Sequence, residues 1–193
     1  MSARLSRLGA AVVDHDVLAR EVVAPGSPGL AAVVEAFGEQ VLTALGSLDR
    51  SALGRIVFAD PNARAVLNGV VHPLVMRAAA EREAAARGEG HDVVVHDIPL
   101  LVETGQAGHF DELVVVDAPA ELRVRRLVAD RGMTVAEAWR RLAAQADDEA
   151  RLEAATVVLD GSGSVADLHA QVDALWGRWT GEPVTETAPR GAE

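Results

Sequence analysis

The sequence predicts an α/β fold in which a parallel sheet is flanked by helices. Short runs rich in β-branched residues recur along the chain: Val93-Val94-Val95-His96-Asp97, Leu113-Val114-Val115-Val116-Asp117 and Thr156-Val157-Val158-Leu159-Asp160. They are too uniformly apolar to alternate between a wet and a dry face, which is the pattern of strands buried on both sides. Each run also finishes on an aspartate. Between the runs, apolar residues recur at helical spacing, and strands alternating with helices imply crossover connections and parallel pairing. Ligands of such sheets bind beyond the carboxyl ends of the strands, so a carboxylate there is placed for chemistry. A lone aspartate in that position would do no more than cap its loop; here the pattern repeats.

Residues 2 to 8 read as the tail of a helix, with Leu5 and Leu8 three apart and Gly9 closing it. Ala10-Ala11-Val12-Val13-Asp14 is a short buried strand, and Asp14-His15-Asp16 then stands at a strand end as Asp97 does. Two strands therefore deliver carboxylates to one edge. His15, between the two aspartates, is expected to be exposed. From Val17 to Arg87 the pattern is helical. Val17, Leu18 and Val22 share a face, Pro25-Gly26-Ser27-Pro28-Gly29 turns the chain, and Leu30, Val33, Val34 and Phe37 form the next face before Gly38. Asp49 can cap a helix carrying Leu53, Ile56 and Val57, and Asp60-Pro61 starts another with Val66, Leu67 and Val70 as its buried stripe. His72-Pro73 is expected to open a long helix through Leu74 and Met76 to Arg87, ended by Gly88-Glu89-Gly90. The result is a helical lobe at about 17–87, inserted between two strands.

Pro99 stops the ladder after Asp97. Ala118-Pro119 turns the Asp117 strand into a helix from about Ala120 to Arg131, closed by Gly132, and Thr134 with Glu137 makes a capping box for a helix to about Gln145. These two helices carry Arg123, Arg125, Arg126, Arg131, Arg140 and Arg141. Surface arginines are commonly just solvated, but their concentration in an acidic chain suits a polyphosphate clamp, since the guanidinium fork matches phosphate oxygens. Gly161-Ser162-Gly163 is a loop, and Ser164 can cap a last helix whose stripe is Val165, Leu168, Val172, Leu175, Trp176 and Trp179. The tryptophans read as packing residues. From Thr180 onward nothing is periodic, so a single domain over 1–179 and a disordered tail over 180–193 are expected.

Composition narrows the function. A chain of 193 residues with 49% hydrophobic content can bury one sizeable core without a metal or crosslink, and it contains no cysteine. A net charge of -11 argues against a broad nucleic-acid-binding surface. No apolar run is long enough for a signal peptide or a membrane span, so a cytoplasmic protein with no membrane partner is expected. All 18 basic residues are arginine.

Four separated segments carry a family resemblance: Val13-Asp14-His15-Asp16-Val17-Leu18-Ala19-Arg20-Glu21-Val22-Val23, Leu67-Asn68-Gly69-Val70-Val71-His72-Pro73-Leu74-Val75, Asp97-Ile98-Pro99-Leu100-Leu101-Val102-Glu103 and Arg141-Leu142-Ala143-Ala144-Gln145. Together, in order and spacing, they resemble dephospho-coenzyme A kinase from residue 3 to about residue 178. The resemblance implies a P-loop kinase fold with a helical substrate lobe and an arginine-bearing lid at about 120–146. It also implies ATP-dependent phosphorylation of the 3′-hydroxyl of dephospho-coenzyme A, with ATP as co-substrate and Mg2+ as cofactor. Carried over by position, Asp16 is the general base or hydroxyl-orienting group and Asp14 supports it. Arg20 and His72 match substrate-lobe positions, Asp97, Leu100 and Leu101 the floor of the substrate pocket, and Arg126 and Arg141 the lid, with Arg123 and Arg131 beside them. His72 could equally pack and cap before Pro73. Gly161 stands where the family commonly has Asn.

The front of the chain departs from the family. A P-loop kinase opens with a strand and G-x-x-x-x-G-K-[ST], whose amides cradle the phosphates, whose Lys reaches the β and γ groups and whose hydroxyl holds magnesium. No segment here matches it, and the chain has no lysine. In this fold the first strand is central. Without it the Asp97 and Asp117 strands would face a gap with unpaired ladder groups, each costing about 1 to 3 kcal/mol if buried unsatisfied. The sequence thus leads us to expect a native protein that begins upstream of Met1, by roughly 15 to 20 residues at ordinary element lengths. Two other readings stay open: a truncated product that no longer binds ATP and acts as a dephospho-coenzyme A binder or interaction module, and a kinase of the same fold for another hydroxyl substrate such as a nucleoside monophosphate.

Overall fold

The computed structural model describes residues 1–99, 101–102, 105–143 and 148–181. In chain order the elements are α1 (Ser2–Leu8), β1 (Ala11–Asp14), α2 (His15–Glu21), α3 (Pro28–Phe37), α4 (Arg50–Ala59), α5 (Pro61–Gly88), β2 (Val94–Asp97), β3 (Val114–Asp117), α6 (Ala120–Arg131), α7 (Val135–Ala143), α8 (Asp148–Ala154), β4 (Val157–Asp160) and α9 (Val165–Thr180), with short 3-10 turns at Glu39–Val41 and Ala107–His109. The chain divides into two compact units, Ala10–Asp97 on the one hand and Met1–Gly9 with Ile98–Glu193 on the other.

In the first unit β1 and β2 pair in parallel, with Ala11 opposite Val94 and Asp14 opposite Asp97. A parallel pair needs a long crossover, and here it is the whole helical segment from α2 to α5. Two apolar clusters hold that segment. Val23, Val33, Val41 and Leu53 are buried in one, Val13, Leu18, Val75 and Ala79 in the other. Each fully buried Val or Leu side chain is worth about 1.5–3 kcal/mol of transfer free energy.

Helix α5 spans both clusters, and this explains a difference from the sequence reading. The structure has one helix of 28 residues with Pro73 inside it, not a new helix opening at His72-Pro73. Proline in a helix interior removes one hydrogen bond and crowds the preceding turn, costing about 3 kcal/mol. Here Leu67 and Val70 before it pack on one cluster while Val75 and Ala79 after it sit in the other, so packing on both sides holds the helix continuous. Two residues assigned to apolar stripes, Val17 and Val66, are instead exposed. The reversed case is His15, expected at the surface and found 8% exposed.

In the second unit β3 pairs with β4 in parallel, Val114 opposite Val157 and Asp117 opposite Asp160. Both strands begin one residue later than the apolar runs. The Thr156 hydroxyl, 2.7 Å from the Leu113 N–H, accepts the hydrogen bond that a ladder would otherwise take. The described strands thus form two separate two-stranded sheets. β2 and β3 are half-buried throughout rather than buried on both faces, and Val158 of β4 is exposed.

Helix α1 lies on α9, where the Arg4 guanidinium grips Asp173 with two bonds of 2.7 and 2.8 Å. Leu5 and Leu8 of α1 and Val172 and Leu175 of α9 are buried, whereas Val165, the first residue of the expected stripe, is 70% exposed. Thr180 belongs to α9 and Gly181 closes it, so the helix runs one residue into the stretch read as tail; residues 182–193 lie outside the described residues. Helix α8 had no counterpart in the sequence reading. It is short and none of its residues is buried, so it leaves no apolar stripe to find. Among the described residues, no helix is long and apolar enough to cross a membrane.

Candidate functional site

Strand register sets the first group of residues. Opposite residues of adjacent strands lie about 4.8 Å apart across a ladder, and the pairing of β1 with β2 places Asp14 beside Asp97 at the carboxyl ends of both. The chain turns at once into α2, and Asp14 is its N-cap: its Oδ1 accepts the Val17 N–H at 3.0 Å. This divides the labour between the two aspartates of the motif. Asp14 is committed to closing the strand-to-helix turn. Asp16, two residues on in the first turn of α2, is exposed.

His15 points the other way. Successive helical residues are rotated by about 100°, so a turn that buries His15 turns Asp16 outward. The His15 Nε2 lies 3.0 Å from His96 Nδ1, and His96 immediately precedes Asp97 on β2. Burial and the nearby His96 push the His15 pKa down, and His72 acts in the same direction, while Asp14 and Asp97 oppose it. His72 and Asp97 are therefore close enough for their charges to act on the same imidazole as Asp14. Both Arg20, in the last turn of α2, and His72, on α5, are exposed. The partnership of His96 and of Glu83 behind it was not anticipated. Its sequence signal is the mirror-image pair of dipeptides, Asp14-His15 and His96-Asp97, one at each strand end.

The other two strand-ending aspartates serve the structure. Asp117 pairs with Arg151 at 3.4 Å. Asp160 accepts the Ser162 N–H at 2.7 Å, and the Ser162 bonds hold its carboxyl below the usual carboxylate range.

The arginines expected to form a lid lie in the second unit, around a cleft of about 330 Å3 lined by Arg123, Arg126, Leu127, Asp130, Arg131, Arg141 and Leu142. Their roles separate by partner. Arg123 makes two bonds of 2.6 and 2.7 Å to Asp148, at the start of α8. Arg126 donates to the Gly161 and Gly163 carbonyls at 2.6 and 2.9 Å, tying α6 to the loop after β4. Arg131 and Arg141 are exposed and make no ion pair among the described residues. Helix α7 is set by its box: Thr134 Oγ1 donates to the Glu137 carboxylate at 2.7 Å, and the Glu137 N–H returns to that hydroxyl at 3.3 Å. Of the proposed pocket floor, Leu101 is buried and Leu100 lies outside the described residues, as does Gln145 at the expected end of the lid.

Comparison with known proteins adds to this geometry. A family model described as dephospho-CoA kinase matches residues 1–167. A dephospho-CoA kinase of Cutibacterium acnes is 50% identical over 182 residues, covering 94% of this chain and 79% of that protein. One from Mycobacterium bovis is 54% identical over 176 residues, covering 91% of this chain but 43% of that longer protein, so this chain spans less than half of it. A crystal structure of a Thermus thermophilus protein superposes with a TM-score of 0.78 at 36% identity, covering 92% of this chain and 89% of that one.

Proposed function

This chain belongs to the dephospho-CoA kinase family, and on that premise we propose how its residues divide the family's reaction. The reaction is transfer of a phosphoryl group from ATP to the 3′-hydroxyl of dephospho-coenzyme A, the last step of coenzyme A biosynthesis. Such a transfer asks the protein for positioning and for neutralisation of charge rather than for covalent chemistry. The observation that carries the assignment is the register pair Asp14–Asp97 with Asp16 turned outward beside it.

Asp16 accepts the hydrogen bond of the attacking hydroxyl and takes its proton as the oxygen–phosphorus bond forms. Asp14, spent on the helix cap, holds the turn that presents Asp16. Asp97, Arg20 and His72 contact the acceptor, the latter two offering donors to its phosphate oxygens. On the other unit, Arg131 and Arg141, exposed and without an ion pair among the described residues, offer guanidinium groups to phosphate oxygens, while Arg123 and Arg126 stiffen the helix that carries Arg131. Arg126, which the resemblance places in the lid, makes two bonds to loop carbonyls, and these support a positioning role.

Magnesium ordinarily accompanies ATP in such reactions. Among the described residues no group of three or more His, Asp or Glu side chains is arranged to hold a metal ion. These residues do not by themselves make a site for it.

The test is turnover of ATP with dephospho-coenzyme A against nucleoside monophosphates, with the product identified by mass spectrometry. Phosphorylation of dephospho-coenzyme A is expected, and Asp16→Asn is expected to lower kcat by about 10²- to 10⁴-fold, the usual worth of a positioned base, with little change in KM. Preference for a nucleoside monophosphate, or neither turnover nor binding of dephospho-coenzyme A, would overturn the assignment.

A further inference from the structure

Phosphoryl transfer leaves one buried titratable group among the described residues without a task. His15 sits between the two aspartates of the acceptor motif and is 8% exposed. Its ring is inclined 57° to that of His96, with centroids 5.3 Å apart, and the Nε2–Nδ1 distance is 3.0 Å. The His96 side chain is 8% exposed, and its Nε2 lies 3.2 Å from Glu83 Oε2. Glu83 is in turn held by Arg87, whose Nε and NH2 donate to Oε1 at 3.0 and 2.8 Å. A line of contacts thus runs from α2 through β2 to α5, all within the first unit.

The chemistry of two facing imidazoles is restrictive. A neutral ring has one donor and one acceptor nitrogen, while a protonated ring has two donors. The His15–His96 bond therefore holds when the pair is neutral or carries one extra proton. With two extra protons, two N–H groups and two positive charges would confront each other at 3.0 Å in a largely dehydrated place. The groups acting on the pair are Asp14 on α2, Asp97 on β2, and His72 and Glu83 on α5, with Arg87 behind Glu83; burial, with His96 and His72 acting in the same direction, outweighs the carboxylates and lowers the His15 pKa from that of a free imidazole.

We propose that the His15–His96 pair is a positioning device for the acceptor end of the site: it pins the Asp14-His15-Asp16 turn to β2 and α5 while it carries at most one extra proton, and releases that turn when a second arrives, so that dephospho-coenzyme A binding weakens in acid. The proposal rests on the assignment of Asp14 and Asp16 to the acceptor. His15 acts through Asp16 and does not touch the reacting atoms.

The experiment uses the full chain and two readouts. Calorimetric binding of dephospho-coenzyme A is measured from pH 5 to 8 for the wild type, His15→Gln and His15→Ala. Glutamine retains an amide donor near the Nε2 position but does not titrate, so the loss of affinity toward pH 5 should be absent from it. The wild type should weaken about tenfold or more toward pH 5, and His15→Ala should be weak throughout. A wild-type slope retained in His15→Gln overturns the proposal. Ring nitrogen spectra of the same samples are the second readout: the wild type should show a hydrogen bond between His15 Nε2 and His96 Nδ1 at pH 8 that is lost toward pH 5, and His15→Ala should lack it at every pH. Absence of that hydrogen bond in the wild type at pH 8, or its persistence at pH 5, also overturns it. If a folded wild type binds no dephospho-coenzyme A at any pH, the assigned function fails, and the ring spectra still decide whether the pair exists.

Discussion

Gly161 shows what one residue can demand of its neighbours. It follows the last residue of β4, and its N–H donates to the Asp117 carbonyl at 2.6 Å. A Cβ at this position would meet Val116 Cγ1 at 2.7 Å and the Asp117 carbonyl oxygen at 2.9 Å. The first could yield by a rotamer change, but the second is backbone locked in the β3–β4 register. Overpacking of this kind costs about 1–3 kcal/mol, so Gly161→Ala should lower the unfolding free energy by that much, seen as a lower urea midpoint, and loosen the Arg126 contacts to the same loop; an unchanged midpoint would mean the loop moves freely. The sequence marked Gly161 as a departure from the family pattern and offered no reason. The reason is a close approach to a strand more than forty residues away in the chain, which no local pattern carries. His15 failed in the same way, because its partner His96 is brought to it by strand register and not by spacing along the chain.

Helix beginnings were legible because capping is local. Asp49 Oδ1 accepts the N–H groups of Ser51 and Ala52 at 3.0 and 2.9 Å, Ser27 caps α3 through Leu30, and Ser164 with Asp167 forms a complete box on α9. Each is a statement about residues two or three apart, so a sequence suffices to find it. Helix middles were less legible. Pro73 reads as a boundary in any local scheme, and only the two apolar clusters on either side of it explain why α5 runs through. Helix α4 gives the cleanest measurement at this scale, since among the described residues the Asp49 side chain bonds only to its own helix start. Asp49→Ala should destabilise the protein by about 1 kcal/mol, the ordinary worth of an N-cap, seen as a lower urea midpoint with an unchanged slope. Asp49→Asn keeps an acceptor and should recover most of it.

At the scale of the molecule, composition gave the net charge but not where protonation would be felt, and the run of strand-ending aspartates gave parallel pairing but not its division into two sheets. Charge placement now yields a stability profile with two stages. Asp173 beside Arg4, Glu83 beside Arg87, and Glu137, Asp160 and Asp167 in their hydroxyl and amide bonds all have carboxyls held below the usual range. For such groups the unfolded chain takes up protons first, so their contribution is present above about pH 4 and is lost as pH falls through their lowered folded values. His15 follows the same sign at higher pH. Its pKa is lowered in the folded protein, so the unfolded chain binds the extra proton first, and stability begins to fall as pH drops below the ordinary imidazole value of about 6.5. Urea midpoints measured from pH 8 to 3 should therefore decline in two steps, the first starting near pH 6.5 and the second below about pH 4. His15→Gln should flatten the first step and leave the second. Asp173→Asn should lower stability at neutral pH and shrink only the second, because the Arg4 guanidinium would then face a neutral amide at every pH. A wild-type midpoint that stays level between pH 7 and pH 5 would contradict the burial of a neutral imidazole at His15, whatever the chain turns out to phosphorylate.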